Sequence, residues 1–184
     1  MALTIQAIQE AESNEEVLEL LTDELQRLLP EGLRENQDLF RKKYLALSRG
    51  LRAMAGMHFF SVSMTLDDLA WHFGNQNDAF DLRETLNGLR ELELAEVAKL
   101  FEEAWGLMEP HLDTLRSEAV NGDNFYDWLV QIGLEKKFEP MNEAIWSYCE
   151  QLGEYGLLEA WAVYAKKFPE RCVAPVLLPI LPNE

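Results

Sequence analysis

Met64 to Met108 reads MTLDDLAWHFGNQNDAFDLRETLNGLRELELAEVAKLFEEAWGLM. Leu82, Leu86 and Leu89 fall on one side of a helix. Leu94, Val97, Phe101, Trp105 and Met108 then recur at spacings of three and four, an apolar stripe at the helical period. Between the two patterns, Glu91 to Glu93 contain neither Gly nor Pro. The expected arrangement is a tight antiparallel helix pair, with one bent helix as the alternative. Upstream, the hydroxyl of Thr65 can cap a short helix. Asp67 and Asp68 then sit where the helix dipole favours negative charge. Gly74 is a natural stop, and Asn75 to Asp78 (NQND) carry turn chemistry.

The remaining sequence extends the same pattern. Ser13 and Glu16 form an S-x-x-E capping box before a helix that runs to Leu29, ahead of Pro30. Its core face is Val17, Leu18, Leu21, Leu25 and Leu28. A helix from Leu33 carries Phe40, Tyr44, Leu47 and Leu51 inward and is expected to fade near Gly56. Met57 to Met64 (MHFFSVSM) then reads as an extended connector. Pro110 should kink or end the helix before it, with Leu112 and Leu115 buried beyond. Asn121 to Asn124 form a turn. Phe125, Trp128, Leu129 and Ile132 mark a further helix, stopping near Gly133. Pro140 suits the first turn of the next, whose core face includes Met141, Ala144, Ile145 and Tyr148. A last helix holds Leu157, Leu158, Trp161 and Tyr164. The expectation is an all-α fold, a single compact domain of about seven or eight helices over residues 1–171. Residues 172–184, apolar but broken by Pro175, Pro179 and Pro182, should lie extended over the domain or on a neighbouring copy.

A chain of 184 residues that is 48% hydrophobic and holds five Trp is long and apolar enough for one buried core. No run of about 18 apolar residues points to a membrane span. No basic and apolar leader precedes the first helix, so a cytoplasmic location is expected. Cys149 and Cys172 are then expected to be reduced. The formal net charge of −17 opposes direct binding of nucleic acid or anionic lipid and favours a basic partner. It is unevenly spread. Residues 1–32 hold eight acids and one base, whereas residues 33–57 hold two acids and six bases. That basic segment is either an internal counter-charge or a second interaction surface.

Two acidic surfaces are candidates for partner binding. One is the stripe Glu12, Glu16, Glu19 and Asp23, where neighbours at helical spacing stand roughly 5–6 Å apart. Phosphates on one DNA strand advance about 3.4 Å of axis per nucleotide and lie somewhat farther apart through space, so such carboxylates could stand in for them. The other comprises Glu91, Glu93, Glu96, Glu102, Glu103 and Glu109. The three histidines, His58, His72 and His111, belong to no zinc spacing. Asp68 and His72, four apart, are expected to form a helix-stabilising ion pair; with Trp71 they are also the candidate lining of a pocket. No nucleophile elbow, phosphate loop or dinucleotide fingerprint is present. No cofactor or metal is expected.

The central stretch resembles the bacterial DNA-mimic-protein family of small, acidic, all-helical proteins. Phe73, Gly74 and Asn75 match an aromatic and polar turn. Glu84, Thr85, Leu86, Leu89, Ala95, Ala98, Leu100, Phe101, Glu103 and Ala104 match a helix pair of the type ETLxALxxIGAxxxAxLxExA. The resemblance covers about 50 residues. It departs at SVSMTLDDL, where the family is Gly-rich, and at Leu92 to Leu94, where LEL replaces IGA. It implies a homodimer whose acidic surface competes with DNA for a helix-turn-helix transcription factor. The readings to be separated are a non-enzymatic acidic binding protein for a basic partner, with DNA mimicry as its narrower form; an immunity or antitoxin-type protein neutralising a basic toxin; and a small-ligand-binding protein.

Overall fold

A computed structural model describes residues 2–117 and 124–173. Short helix α1 (Ile5–Glu10) precedes α2 (Asn14–Leu28), and a 3-10 turn (Leu33–Glu35) leads into α3 (Gln37–Leu45). The long α4 (Arg49–Leu66) is followed by α5 (Leu69–Asn75), α6 (Ala79–Glu91) and α7 (Ala95–Met108). After a 3-10 turn at Glu109–His111 come α8 (Leu112–Leu115), α9 (Phe125–Gln131), α10 (Glu135–Leu152) and α11 (Glu159–Lys167). No strand occurs among the described residues. The all-α class is as expected, with more and shorter helices than the apolar stripes indicate.

Helix α4 is the axis of the fold and packs on α2, α3, α5, α6, α10 and α11. It contradicts the expected connector at Met57 to Met64, all of which is helical. Leu51, Met54, Met57, Phe60 and Met64 are buried at spacings of three and four, and that apolar period outweighs the local taste of Phe59, Phe60 and Val62 for extended structure. Gly56 is no stop either. It lies mid-helix, where α6 approaches so closely that a Cβ would meet the Glu84 carbonyl oxygen at 2.5 Å. The expected helix from Leu33 is instead broken at Ala46–Ser48, between α3 and α4. Thr65, expected as a cap, lies in the last turn of α4 and donates to the Ser61 carbonyl. Asp68 caps α5, accepting from the Trp71 amide at 2.8 Å.

The basic segment is largely an internal counter-charge. Arg52 makes a two-pronged ion pair with Glu84, both contacts 2.7 Å, and Arg49 pairs with Glu91. Arg41 reaches Asp78 at 3.0 Å and Arg34 reaches Asp81 at 3.9 Å. Burial pushes the Glu84 carboxyl up, but hydrogen bonds and charge from Arg52 outweigh it and hold the group below its ordinary range. Glu24, on the buried side of α2, is held low mainly by its hydrogen bond from Arg27, against burial. It also accepts from the Leu3 amide at 3.3 Å.

Helices α6 and α7 are two helices, not one bent one. The Glu93 amide donates to the Arg90 carbonyl, and the Leu94 amide reaches back to the Leu89 carbonyl at 2.9 Å. This is a Schellman turn, which needs a left-handed residue at its corner. That residue is Glu93, at φ 63°. The α9–α10 junction repeats the turn, with Leu134 bonded to Leu129 and Gly133 to Val130. There the corner is a glycine at φ 71°. A left-handed non-glycine residue costs about 1–2 kcal/mol, while the exposed ion pair of Glu93 with Lys167 contributes about 0–1 kcal/mol. Glu93→Gly is therefore expected to raise stability by about 0.5–1 kcal/mol, read as a higher urea midpoint.

Pro110 ends α7 as expected. Pro140 instead lies inside α10, which begins one turn earlier than expected, at Glu135. Cys149 and Cys172 are free thiols. Cys172, assigned to the tail, is fully buried, where burial first raises its pKa, to about 12. The expected extended course of 174–184 and the first three residues of the turn at Asn121 to Asn124 lie outside the described residues.

Candidate functional site

The acidic candidates separate into two kinds. Glu91 is half-buried and bound by Arg49, Arg171 and the Tyr164 hydroxyl. Glu93 pairs with Lys167, Glu102 with Arg90 and Glu103 with Lys99. Four of the six acids in that group therefore have intramolecular cations. Glu96 and Glu109 are exposed and make no ion pair among the described residues.

The α2 stripe differs. Glu16, Glu19 and Asp23 lie on α2, but Glu12 falls just before its Ser13 cap and not on the helix face as expected. All four are exposed, and no Lys or Arg among the described residues pairs with any of them. Glu16 is engaged only in capping. Its amide donates to Ser13 Oγ at 3.0 Å, and its carboxylate accepts from the Glu12 amide at 2.7 Å. The reciprocal bond thus falls one residue before the expected Ser13 amide. Glu15 extends the row towards Tyr155, whose phenol is raised by desolvation first, then by Glu15, Glu154 and Glu159. Lys166, nearby, is tied to the side-chain oxygen of Asn14 at 3.0 Å.

Tyr155 also lines an open groove of about 590 Å³ between the end of α4, the C-terminal half of α10 and the turn before α11. Leu66, Trp146 and Tyr155 line it and are 71%, 39% and 36% exposed. Among the described residues, Asp67, Glu150 and Glu154 are its charged lining residues, and no cation lines it. Trp146 is held in place by its indole N–H, which donates to the Met64 carbonyl at 3.0 Å. Asp67 accepts from Tyr126 at 3.3 Å. The groove joins segments some 80 residues apart in sequence, which explains why no local pattern announces it.

The Asp68, Trp71 and His72 group is not arranged as expected. Asp68 is committed to its cap and makes no ion pair with His72. The His72 side chain is fully buried among Phe60, Phe73 and Phe101. Ser63 donates to the Phe59 carbonyl at 2.7 Å. Its hydroxyl oxygen is therefore left to accept from His72 Nδ1, 2.9 Å away. Nε2 then carries a bare lone pair with no partner. Burial pushes the imidazole down to about 3, so it is neutral at pH 7. None of the three residues lines the groove or the cavity described further below. Among the described residues no cluster of three or more His, Cys, Asp or Glu could hold a metal ion, and no helix is long and apolar enough to cross a membrane.

The fold and its groove define an all-helical protein with an acidic, partly apolar recess. Comparison with protein-family models, curated proteins and solved structures found no significant match. The resemblance of the central stretch to the DNA-mimic-protein family gains no support from these comparisons.

Proposed function

We propose that this chain is a non-enzymatic binding protein that engages a basic protein through the groove around Trp146 and the acids beside it. One observation carries the reading: exposed Leu66, Trp146 and Tyr155 share a recess whose charged lining, among the described residues, is carboxylate throughout. Interface energy concentrates in large aromatic anchors surrounded by a polar rim, and unpaired charge of one sign steers an oppositely charged partner. The fitting partner presents an apolar side chain flanked by Lys or Arg. A surface that only imitated phosphates would have no use for the apolar floor. DNA mimicry, and with it a transcription factor as partner, is the narrower version, supported by the α2 acids alone.

The test is capture from native lysate on the immobilised chain at low salt, eluted first with duplex DNA and then with high salt. A basic protein held by the wild type should be lost from Trp146→Ala at least tenfold, with the circular dichroism melt of the variant checked in parallel. Release by DNA would favour the mimic version, and release only by salt an immunity-type partner. Equal capture by wild type and Trp146→Ala would remove the groove from the account.

A further inference from the structure

A second recess shares no residue with the groove. It is a cavity of about 390 Å³ between the end of α2, the 3-10 turn after it, α3, α4 and the start of α11. Leu25, Leu29, Phe59 and Trp161 contribute apolar walls, and Arg34 and His58 are among its polar groups. The guanidinium of Arg34 is fixed between two rings, with its carbon 4.6 Å from the Phe40 centroid and 4.3 Å from the Phe59 centroid. These ring contacts restrain the group but use none of its five N–H donors. The side chain is 38% exposed, and its one ion pair among the described residues, to Asp81, is 3.9 Å long. Partial desolvation first, and the Arg34 charge second, lower the pKa of His58. His58 packs against Phe59 and Trp161, each 5.7 Å away between ring centroids. Glu31 is the one carboxylate along the lining among the described residues.

A pre-oriented guanidinium beside an apolar cavity is a receptor for a carboxylate, because the planar fork matches two carboxylate oxygens. The volume falls at the small end of ligand pockets, about 300–1,000 Å³. We propose that this cavity binds a small monocarboxylate with a compact apolar body, its carboxylate on the edge of Arg34 and its body against Leu29, Phe59 and Trp161. The position is notable in a chain of net charge −17, because it offers an anion a local cation beside apolar walls.

The test is calorimetric titration of the full chain with 4-phenylbutyrate and, separately, with its neutral amide, 4-phenylbutanamide. The acid should bind saturably, one per chain, at least tenfold more tightly than the amide. Arg34→Gln should abolish that tenfold preference while leaving amide binding unchanged. Ala55→Leu, which places a side chain into the cavity, should abolish binding of both, with an unchanged circular dichroism spectrum showing that the fold is retained. The proposal is overturned if neither compound binds saturably to the wild type, if the two bind equally, or if Arg34→Gln keeps the preference.

Discussion

Gly88→Ala should destabilise the protein by about 3 kcal/mol, while the same substitution at Gly106 should stabilise it by up to about 1 kcal/mol. Both glycines are helical. In an unconstrained helix alanine is the better residue, since glycine loses more backbone freedom on folding. Gly106 is such a site: it is exposed, and a Cβ there would meet nothing within 4 Å. At Gly88 a Cβ would lie less than 3.0 Å from the Ala53 carbonyl oxygen. That oxygen belongs to the α4 backbone, so the clash is relieved only by moving one helix off the other. Gly56 makes the reciprocal approach from α4, and the Thr85 hydroxyl donates to its carbonyl at 3.0 Å. The Arg52–Glu84 pair lies between the same two helices, so separating them would also weaken the ion pair that compensates the buried Glu84 carboxylate. Urea unfolding of the two variants beside wild type checks the opposite signs. A stabilised Gly88→Ala would mean that α4 and α6 are not so closely packed.

His72 should make stability acid-sensitive over a range where most carboxylates stay ionised. Its folded pKa lies at about 3, against an ordinary 6.5. Between these values the unfolded chain binds a proton that the folded chain refuses, so protonation favours unfolding. The contribution of neutral His72 is complete above pH 6.5. It declines by about 1.4 kcal/mol per pH unit as the pH falls towards 3. His72→Phe keeps a ring among Phe60, Phe73 and Phe101 and leaves Ser63 bonded to the Phe59 carbonyl. The stability difference between wild type and this variant should change with that slope between pH 6 and pH 4, whatever its value at pH 7. A flat difference would show that the imidazole is solvated in the folded protein.

The apolar stripes made most of the fold readable. Val17, Leu18 and Leu21, and Val97, Phe101 and Met108, are buried as their spacing requires. Met57 to Met64 was illegible because its aromatic and β-branched residues speak for local preference, whereas the helix there is held by packing against distant elements. Glu24, Glu84 and Glu91 look like ordinary surface acids in sequence. Their burial depends on Leu3 and Arg27, on Arg52, and on Arg49 and Arg171, and only the first set includes a near neighbour. Of the candidate site, the acidic row was legible because it is local in sequence: Glu16, Glu19 and Asp23 share α2, and Glu12 directly precedes its Ser13 cap. The groove and the Arg34 cavity were not, since each is assembled from several helices that meet only in three dimensions. A weak signal did exist for the internal ion pairs: a basic segment, residues 33–57, lies between acidic ones.

The central claim is that an apolar anchor and unpaired acids act together on one basic partner. The most direct measurement is the dissociation constant of the captured partner, over a series of salt concentrations, for wild type, Trp146→Ala and Glu150→Gln/Glu154→Gln. The account predicts that wild-type affinity falls steadily with salt. Trp146→Ala should be weaker at every concentration with the same salt slope, and the double glutamine variant should show a shallower slope. A partner whose affinity is untouched by Trp146→Ala and whose salt slope is untouched by the two glutamines would contradict it.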